Sequence, residues 1–380
     1  LLLACNDDRP EPVTTTPDTG TEAPTGRCVP TDNALRLDCP LDTPGTVRWW
    51  PADDPDDVRS AEGNTTVRIH NLRADVLTVV EFPDGTEEVQ SPGTLPDTIG
   101  GIRSTITDAG LSTWVVVSGT CNPREIVVLD TEGRPRWYQT LDRKVLGIDV
   151  TPTQTLLVLE GSTDIREWSR QGEVIWAADY DDQDRPLHHD VARDVRGFTY
   201  ALQADVYPID GIPYVLDSLV VFDPSGANVD TWRLIDHLPD IYEPTNNNGY
   251  WTIRFPNGID FSHANSVEIT PDGDLLLSLR WLDTVLKMDG DPLSAGFGTP
   301  RWWLSSTGQV PSDLELAGDE AIFDGQHHPS IALDGRLLLF DNAARGTNSR
   351  GVAYVLSETA ATIDQIWPLP HDCTVQGSTN

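Results

Sequence analysis

Positive charge is scarce in this sequence. Asp and Glu number 60 against 26 Lys and Arg, for a formal charge of -34. So acidic a chain excludes nucleic acid as a partner and polybasic docking on anionic lipid. A small anionic substrate would need a local cationic site to overcome the same field. Nearly all the basic residues are arginine, Lys144 and Lys287 being the two lysines. No apolar run after the first residues is long enough to span a bilayer. There is neither a C-x-x-C pair nor an H-E-x-x-H stretch, which removes the common dithiol and zinc motifs. Helical periodicity is almost missing, and strands are left to build the fold.

Five cysteines are present. The first follows an apolar stretch and a small residue in LLLAC, the order of a bacterial lipobox, so Cys5 is the expected lipidation site. Asn6 to Gly26, rich in Pro, Thr and Asp, reads as a disordered tether. Export and a lipid anchor to the membrane are therefore expected. Cys28, Cys39, Cys121 and Cys373 then form an even set in an oxidising compartment. Three pairings are possible, with four free thiols as the alternative. Cys28–Cys39, close in sequence, and Cys121–Cys373, joining early and late parts of the main domain, are preferred.

After residues 1–26, residues 27–95 read as a small β-sandwich domain. TTVRIHNL and DVLTVVEF are β-branched or alternating runs between polar turns, and SPGTLPDTIGG reads as a linker. His70 on one of these strands is read as a packing or surface residue. Residues 96–380 carry a repeat. IVVLDTEGRPRWYQ, REWSRQGEVIWAAD and VVFDPSGANVDTWRL share one form: an apolar strand, a polar turn with Gly, and a strand carrying Trp. Trp137, Trp176, Trp232, Trp302 and Trp367 take equivalent places. A second kind of hairpin, as in TPDGDLLLSL and ALDGRLLLF, lies between the copies. Two alternating hairpins make four strands per unit, and five such units with a further, closing blade expected predict an all-β chain with a β-propeller. The last blade is expected to be incomplete in this chain, because CTVQGSTN stops where an inner strand would begin.

Five of the eight histidines fall at three places: RPLHHDVARDV, FSHANSVEITPDG and DGQHHPSIALDG. Each lies about eight to ten residues ahead of the Gly that precedes an apolar strand. A propeller would gather such entrances at one rim of its channel. Arg280, read at the far end of the strand that His263 opens, in LLLSLR, would aim at the same point. Imidazole also suits zinc or copper, with Asp190 as a further ligand, and a His-rich metalloprotein is one competing reading. A non-catalytic propeller lipoprotein holding a ligand or protein at the cell surface is another. His237 and His371 lie outside the constellation and read as solvent-facing or capping residues.

HHD, SHANSV with a following SLR, and QHHP followed by FDN together resemble the bacterial arylsulfate sulfotransferases. The likeness covers the chain from about Ile102 onward. It implies an extracytoplasmic six-bladed propeller behind a small β-sandwich domain. It also implies transfer of a sulfuryl group from a phenolic sulfate to a phenol acceptor, without a nucleotide donor or any cofactor. Carried over by motif, His327 is the nucleophile that becomes sulfated, and His263 handles the proton at the phenol oxygen. Arg280 and a histidine of HHD hold the sulfate oxygens, and Asn265 adds a hydrogen bond. That histidine is assigned as His189, which stands as far from its strand glycine as His327 does, with His188 the close alternative. The sequence departs from the family pattern at two places. His328 stands where an acidic residue usually follows the nucleophile, and FDNA replaces FDNG.

Overall fold

The computed structural model describes residues 2–4, 26–100, 102–105, 114–118, 124–238, 251, 254–307, 310–342 and 349–368. Cys5, Cys121, Cys373, His371 and Ala343 lie outside the described residues. The described residues are almost entirely strand and turn, so the chain is all-β. Two compact units are distinguished, residues 1–145 with 169–173, and residues 146–168 with 174–380.

In the first unit a three-stranded antiparallel sheet (Val29–Pro30, Leu37–Pro40, Thr66–Ile69) and a four-stranded one (Arg59–Gly63, Gly45–Pro51, Thr78–Glu81, Glu87–Gln90) share one core around Leu37, Val47, Trp49, Ile69 and Val80. The alternation of TVVE and TVRI fits sheets with one buried face. Cys28 and Cys39 form the expected disulfide, with sulfurs 2.06 Å apart. His70 packs edge-on to Trp49, ring centroids 5.7 Å apart. The stretch read as a linker is more ordered than expected. Asp97–Gly100 forms a helical turn and fully buries Ile99 in the same core, because an apolar side chain within reach of that core leaves water.

The repeat appears as five successive antiparallel meanders. The first, Val115–Ser118, Glu125–Leu129 and Pro135–Thr140, has three strands. The second (Val145–Val150 to Val174–Asp179), third (Leu187–Arg193 to Asn228–Arg233), fourth (Ala264–Ile269 to Pro300–Ser305) and fifth (His327–Ile331 to Ala360–Pro368) have four each in sequence order. The short strands Ile259–Asp260 and Glu315–Ala317 add parallel edges to the third and fifth. All five repeat tryptophans lie on the last strand of their sheet. Trp176 donates to the Pro224 carbonyl at 2.9 Å and Trp232 to the Gly298 carbonyl at 3.0 Å. Each thereby ties its sheet to the last hairpin of the next one.

From the second sheet to the fifth, successive sheets pack face to face, which explains the unbroken apolar runs. In Leu275–Leu279 every residue is buried. Leu275, Leu277 and Leu279 belong to a core shared with the third sheet, and Leu276 to a core shared with the fifth. A strand covered on both faces has no polar side to show. The first-hairpin turns close on a left-handed residue, Gly197 at φ 90° in one and Gly335 at φ 86° in another. A side chain is disfavoured there, hence the glycine ahead of the apolar strands of the third, fourth and fifth sheets, whereas Gln154 takes this place at φ 60° in the second.

Candidate active site

The first strands of the third, fourth and fifth sheets lie against one another. Their histidine-bearing ends share a backbone irregularity. Pairing slips between Leu187 and Val191, between Ala264 and Ser266, and between His327 and Ser330. At each slip a histidine takes a left-handed conformation: His189 at φ 54°, His263 at φ 48° and His328 at φ 45°. Such backbone costs about 1–3 kcal/mol per residue and clusters at functional sites. Bulges of this kind re-aim side chains out of the regular pleat.

Motif residues between the histidines tie the sheets together. Asp190 accepts from the Val267 amide at 3.0 Å. Asn265 donates to the Gln326 carbonyl at 2.8 Å, and Ser278 donates to it at 3.0 Å. The Gln326 side chain donates in turn to the Leu279 and Thr284 carbonyls. Asp190 is thus engaged with backbone, and Asn265 commits its amide nitrogen to the strand start that carries His327.

His263 is buried between Asp260 and Trp281. Its Nδ1 lies 2.5 Å from Asp260 Oδ2, which also accepts from the Trp281 indole at 2.9 Å. A carboxylate only accepts, so Nδ1 carries the proton. Arg280 lies not at the far end of the strand His263 opens but one hairpin later, where the return strand brings it back. Its backbone amide donates to the His263 carbonyl at 3.2 Å, and its guanidinium sits over Trp281 at 4.5 Å. Arg280 Nε is buried with no hydrogen-bond partner among the described residues. Burial lowers its pKa against the opposing pull of Asp260, Asp324 and Asp283.

His327 Nδ1 lies 3.0 Å from the Gly325 carbonyl. A carbonyl oxygen is an acceptor, so that nitrogen is protonated and Nε2 holds the lone pair. The Asn342 amide nitrogen lies 2.9 Å from the same Nδ1, and with an N–H there the amide would turn its oxygen inward. Nε2 is buried without a hydrogen-bond partner. Burial, then the Arg280 guanidinium, then the imidazoles of His328 and His263, hold His327 down to about 3, against the raising effect of the Gly325 carbonyl. The side chain of His328 is exposed.

The tandem histidines part company. His188 packs edge-on to Trp251, centroids 5.1 Å apart, with Nε2 3.0 Å from Asp217 Oδ1. His189 packs against His263 at 5.0 Å. Burial first, then the charges of His188, His263, His327 and Arg280, hold His189 well below the ordinary histidine range. The structure therefore brings His189, His263, His327 and Arg280 into one electrostatic neighbourhood, with His188 behind His189. His237 caps a turn at Leu234–Asp236 and stacks on Trp232. Among the described residues no group of three or more His, Cys, Asp or Glu is arranged to hold a metal. A cavity of about 550 Å³, lined by Asp182, Asp184, Asp205, Arg185 and Arg254, adjoins Phe255, which packs on Trp251.

Sequence reasoning missed Asp217, Asp260, Trp251 and Trp281. Asp217 left a signal, an acid inside the apolar run YVLDSLVVF. Asp260 left a weaker one, three residues before His263.

Among solved structures the chain is similar to a protein of unknown function from Bacteroides caccae (11% identity, covering 85% of this chain and 94% of that one, TM-score 0.42). It is also similar to virginiamycin B lyase from Staphylococcus aureus (9% identity, 86% and 89% covered, TM-score 0.38) and to regucalcin from Agrobacterium tumefaciens (13% identity, 63% and 67% covered, TM-score 0.37). Likenesses this weak support no argument. No curated protein matches the chain in sequence. The family model of the arylsulfotransferases (ASST) matches residues 108–372, well over half the sequence, and the chain therefore belongs to the arylsulfotransferase family.

Proposed function

We propose that this chain moves a sulfuryl group from an aryl sulfate to a phenol through a sulfated His327. The observation that carries the reading is the pairing of a neutral, buried imidazole with an unengaged guanidinium nitrogen beside two further histidines. The five meanders are inferred to be blades of a six-bladed propeller, with these first strands along its axis.

Sulfuryl transfer, like phosphoryl transfer, asks mainly for positioning and charge stabilisation. His327 Nε2 attacks sulfur as the bond to the aryl oxygen breaks, and Arg280 and His189 hold the non-bridging oxygens. The departing phenolate takes a proton from His263 Nε2. An acceptor phenol then returns a proton to His263, its oxygen attacks sulfur, and the N–S bond breaks to restore His327. Asp260 stabilises the imidazolium each time His263 holds the extra proton, as a carboxylate behind an imidazole does generally. Protonating a leaving oxygen in this way is worth about 10²–10⁴-fold. Arg280 also supplies the positive charge that the acidic surface withholds.

The test is release of nitrophenol from p-nitrophenyl sulfate with and without added phenol, in the native protein and in His327→Ala. Phenol-dependent turnover lost in the variant, with sulfohistidine trapped at His327 by mass spectrometry, is expected. Undiminished turnover in His327→Ala rejects the assignment. The same reading places the protein outside the cytoplasm, lipidated at Cys5 and carrying a second disulfide, Cys121–Cys373. Incorporation of labelled palmitate lost in Cys5→Ala checks the anchor.

A further inference from the structure

His188 and Asp217 have no part in the chemistry above, yet both are buried directly behind it. His188 Nδ1 faces His189 Nδ1 at 2.8 Å, the two rings perpendicular. His188 Nε2 faces Asp217 Oδ1 at 3.0 Å, an oblique ion-pair approach rather than an aligned hydrogen bond. Asp217 is fixed through its other oxygen, which accepts from Ser262 Oγ at 2.5 Å and from the Ala264 amide at 2.6 Å. All of these groups are buried.

This geometry restricts where protons sit. The negative charge of a carboxylate 3.0 Å away favours a hydrogen over a lone pair on His188 Nε2, even with the approach oblique. The facing Nδ1 atoms share one hydrogen between them, which leaves two arrangements. With it on His189, both rings are neutral and His189 Nε2, the nitrogen outside this chain of three groups, presents a lone pair. With it on His188, that ring is an imidazolium against Asp217, and a neutral His189 must carry its hydrogen on Nε2. The second differs from the first by one added proton. That proton enters at His189 Nε2 as the Nδ1 hydrogen passes to His188, and only N–H bonds change.

We propose that Asp217, His188 and His189 form a proton store behind the site, so that binding a sulfate oxygen at His189 Nε2 draws one proton onto His188. A lone pair at that position repels a sulfate oxygen, whereas an N–H donates to it. Storing the charge on His188 sets it beside Asp217 and one ring back from the cations. Arg280, His263 and His327 all disfavour charge on His189 itself, and Asp260 faces this group through His263. His188 and Asp217 are thus positioning residues. The inference rests on the sulfuryl-site reading and explains why the motif has two histidines.

The test is binding of benzenesulfonate, which carries no transferable group, by isothermal titration across alkaline pH. Other groups add their own dependence, so the informative quantity is a difference. In the native protein the slope of log Kd against pH should exceed that of His188→Gln and of Asp217→Asn by one, an extra tenfold weakening per pH unit. Asp217→Asn keeps an acceptor oxygen for Ser262 and Ala264 and so guards against loss of fold. Nitrogen-labelled histidine NMR of the native protein reads the same event directly: on saturation, both His188 nitrogens should become protonated. Equal slopes in native and variant proteins, or a His188 that gains no proton, overturn the proposal and leave the sulfuryl site standing. Failure of the native protein to bind the sulfonate overturns the site itself, and the proposal with it.

Discussion

A histidine nucleophile is useful only while neutral, and the environment of His327 makes a quantitative demand on pH. An ordinary histidine, with a pKa of about 6.5, is roughly 3% neutral at pH 5. Enzyme sulfation through such a residue would fall about 30-fold between pH 8 and pH 5. Burial and Arg280 hold His327 down to about 3, which leaves about 99% of it neutral at pH 5. The first-turnover burst with p-nitrophenyl sulfate, quenched in alkali to develop the nitrophenolate, should therefore stay flat over that range. The leaving group is a good one, so demand for a proton from His263 is small and the burst isolates the nucleophile. Arg280→Gln removes the second-largest cause of the depression, so its burst should be slower at every pH and should begin to fall at a higher pH than in the native protein. Circular dichroism over the same range separates titration from unfolding. A native burst falling about 30-fold with a midpoint near 6.5 refutes the reasoning, because His327 would then be an ordinary exposed imidazole.

The other expectations are shorter. Arg280→Lys keeps the charge but loses the planar fork, and a fall of about 10²-fold in the burst rate is expected. Asp260→Asn should slow phenyl sulfate by about 10²-fold and p-nitrophenyl sulfate by under about 10-fold, since poor leaving groups need the His263 proton most. Equal losses on the two donors would make Asp260 merely structural. Glu268 is raised from 4.5 to about 7 by burial, then by Asp149. Its folded pKa is the higher one, so the stability it contributes is full below about 4.5 and lost as pH rises through about 7. Glu268→Gln should accordingly gain about 1–3 kcal/mol in urea unfolding at pH 8 and little at pH 4. Breaking Cys28–Cys39, which closes a loop of sequence separation 11, should cost about 3 kcal/mol on the chain-entropy model, read in the same assay.

What was legible in the sequence is what local physics dictates. Turn glycines, β-branched alternation and continuous apolar runs follow from backbone conformation and two-sided burial, and the meanders fall where those signals put them. Histidines ahead of matched strands were visible because a rare residue recurred in register. The bulges were not visible, since a left-handed histidine leaves no mark in a string of letters. Arg280 was found, but its placement was misjudged, because its hairpin partner is a property of pairing rather than of order. Ile99 was read as linker because one apolar residue among Pro, Gly and Thr carries too little signal to mark a core position.

The carboxylates were the costliest omission, because they make three similar histidines into different reagents. An imidazole's behaviour is set by what its far nitrogen touches. His263 has Asp260 there and can hold a proton in transit. His327 has a carbonyl and an amide there, and although the Gly325 carbonyl favours its charged form, burial and Arg280 outweigh it, so it stays a nucleophile. His189 has another imidazole there, and behind that a carboxylate, so its proton is set one ring away. Asp217 and Asp260 reach these nitrogens from a strand of the third sheet and from the short strand added to its edge, a juxtaposition that only the folded sheet creates. Exchanging the partners should exchange the behaviour. Asn342→Asp would set a carboxylate against His327 Nδ1, favour its imidazolium and bring back the acid fall in the burst that the native protein should lack. A flat burst in Asn342→Asp would mean that distance from solvent, and not the partner, decides what each histidine does.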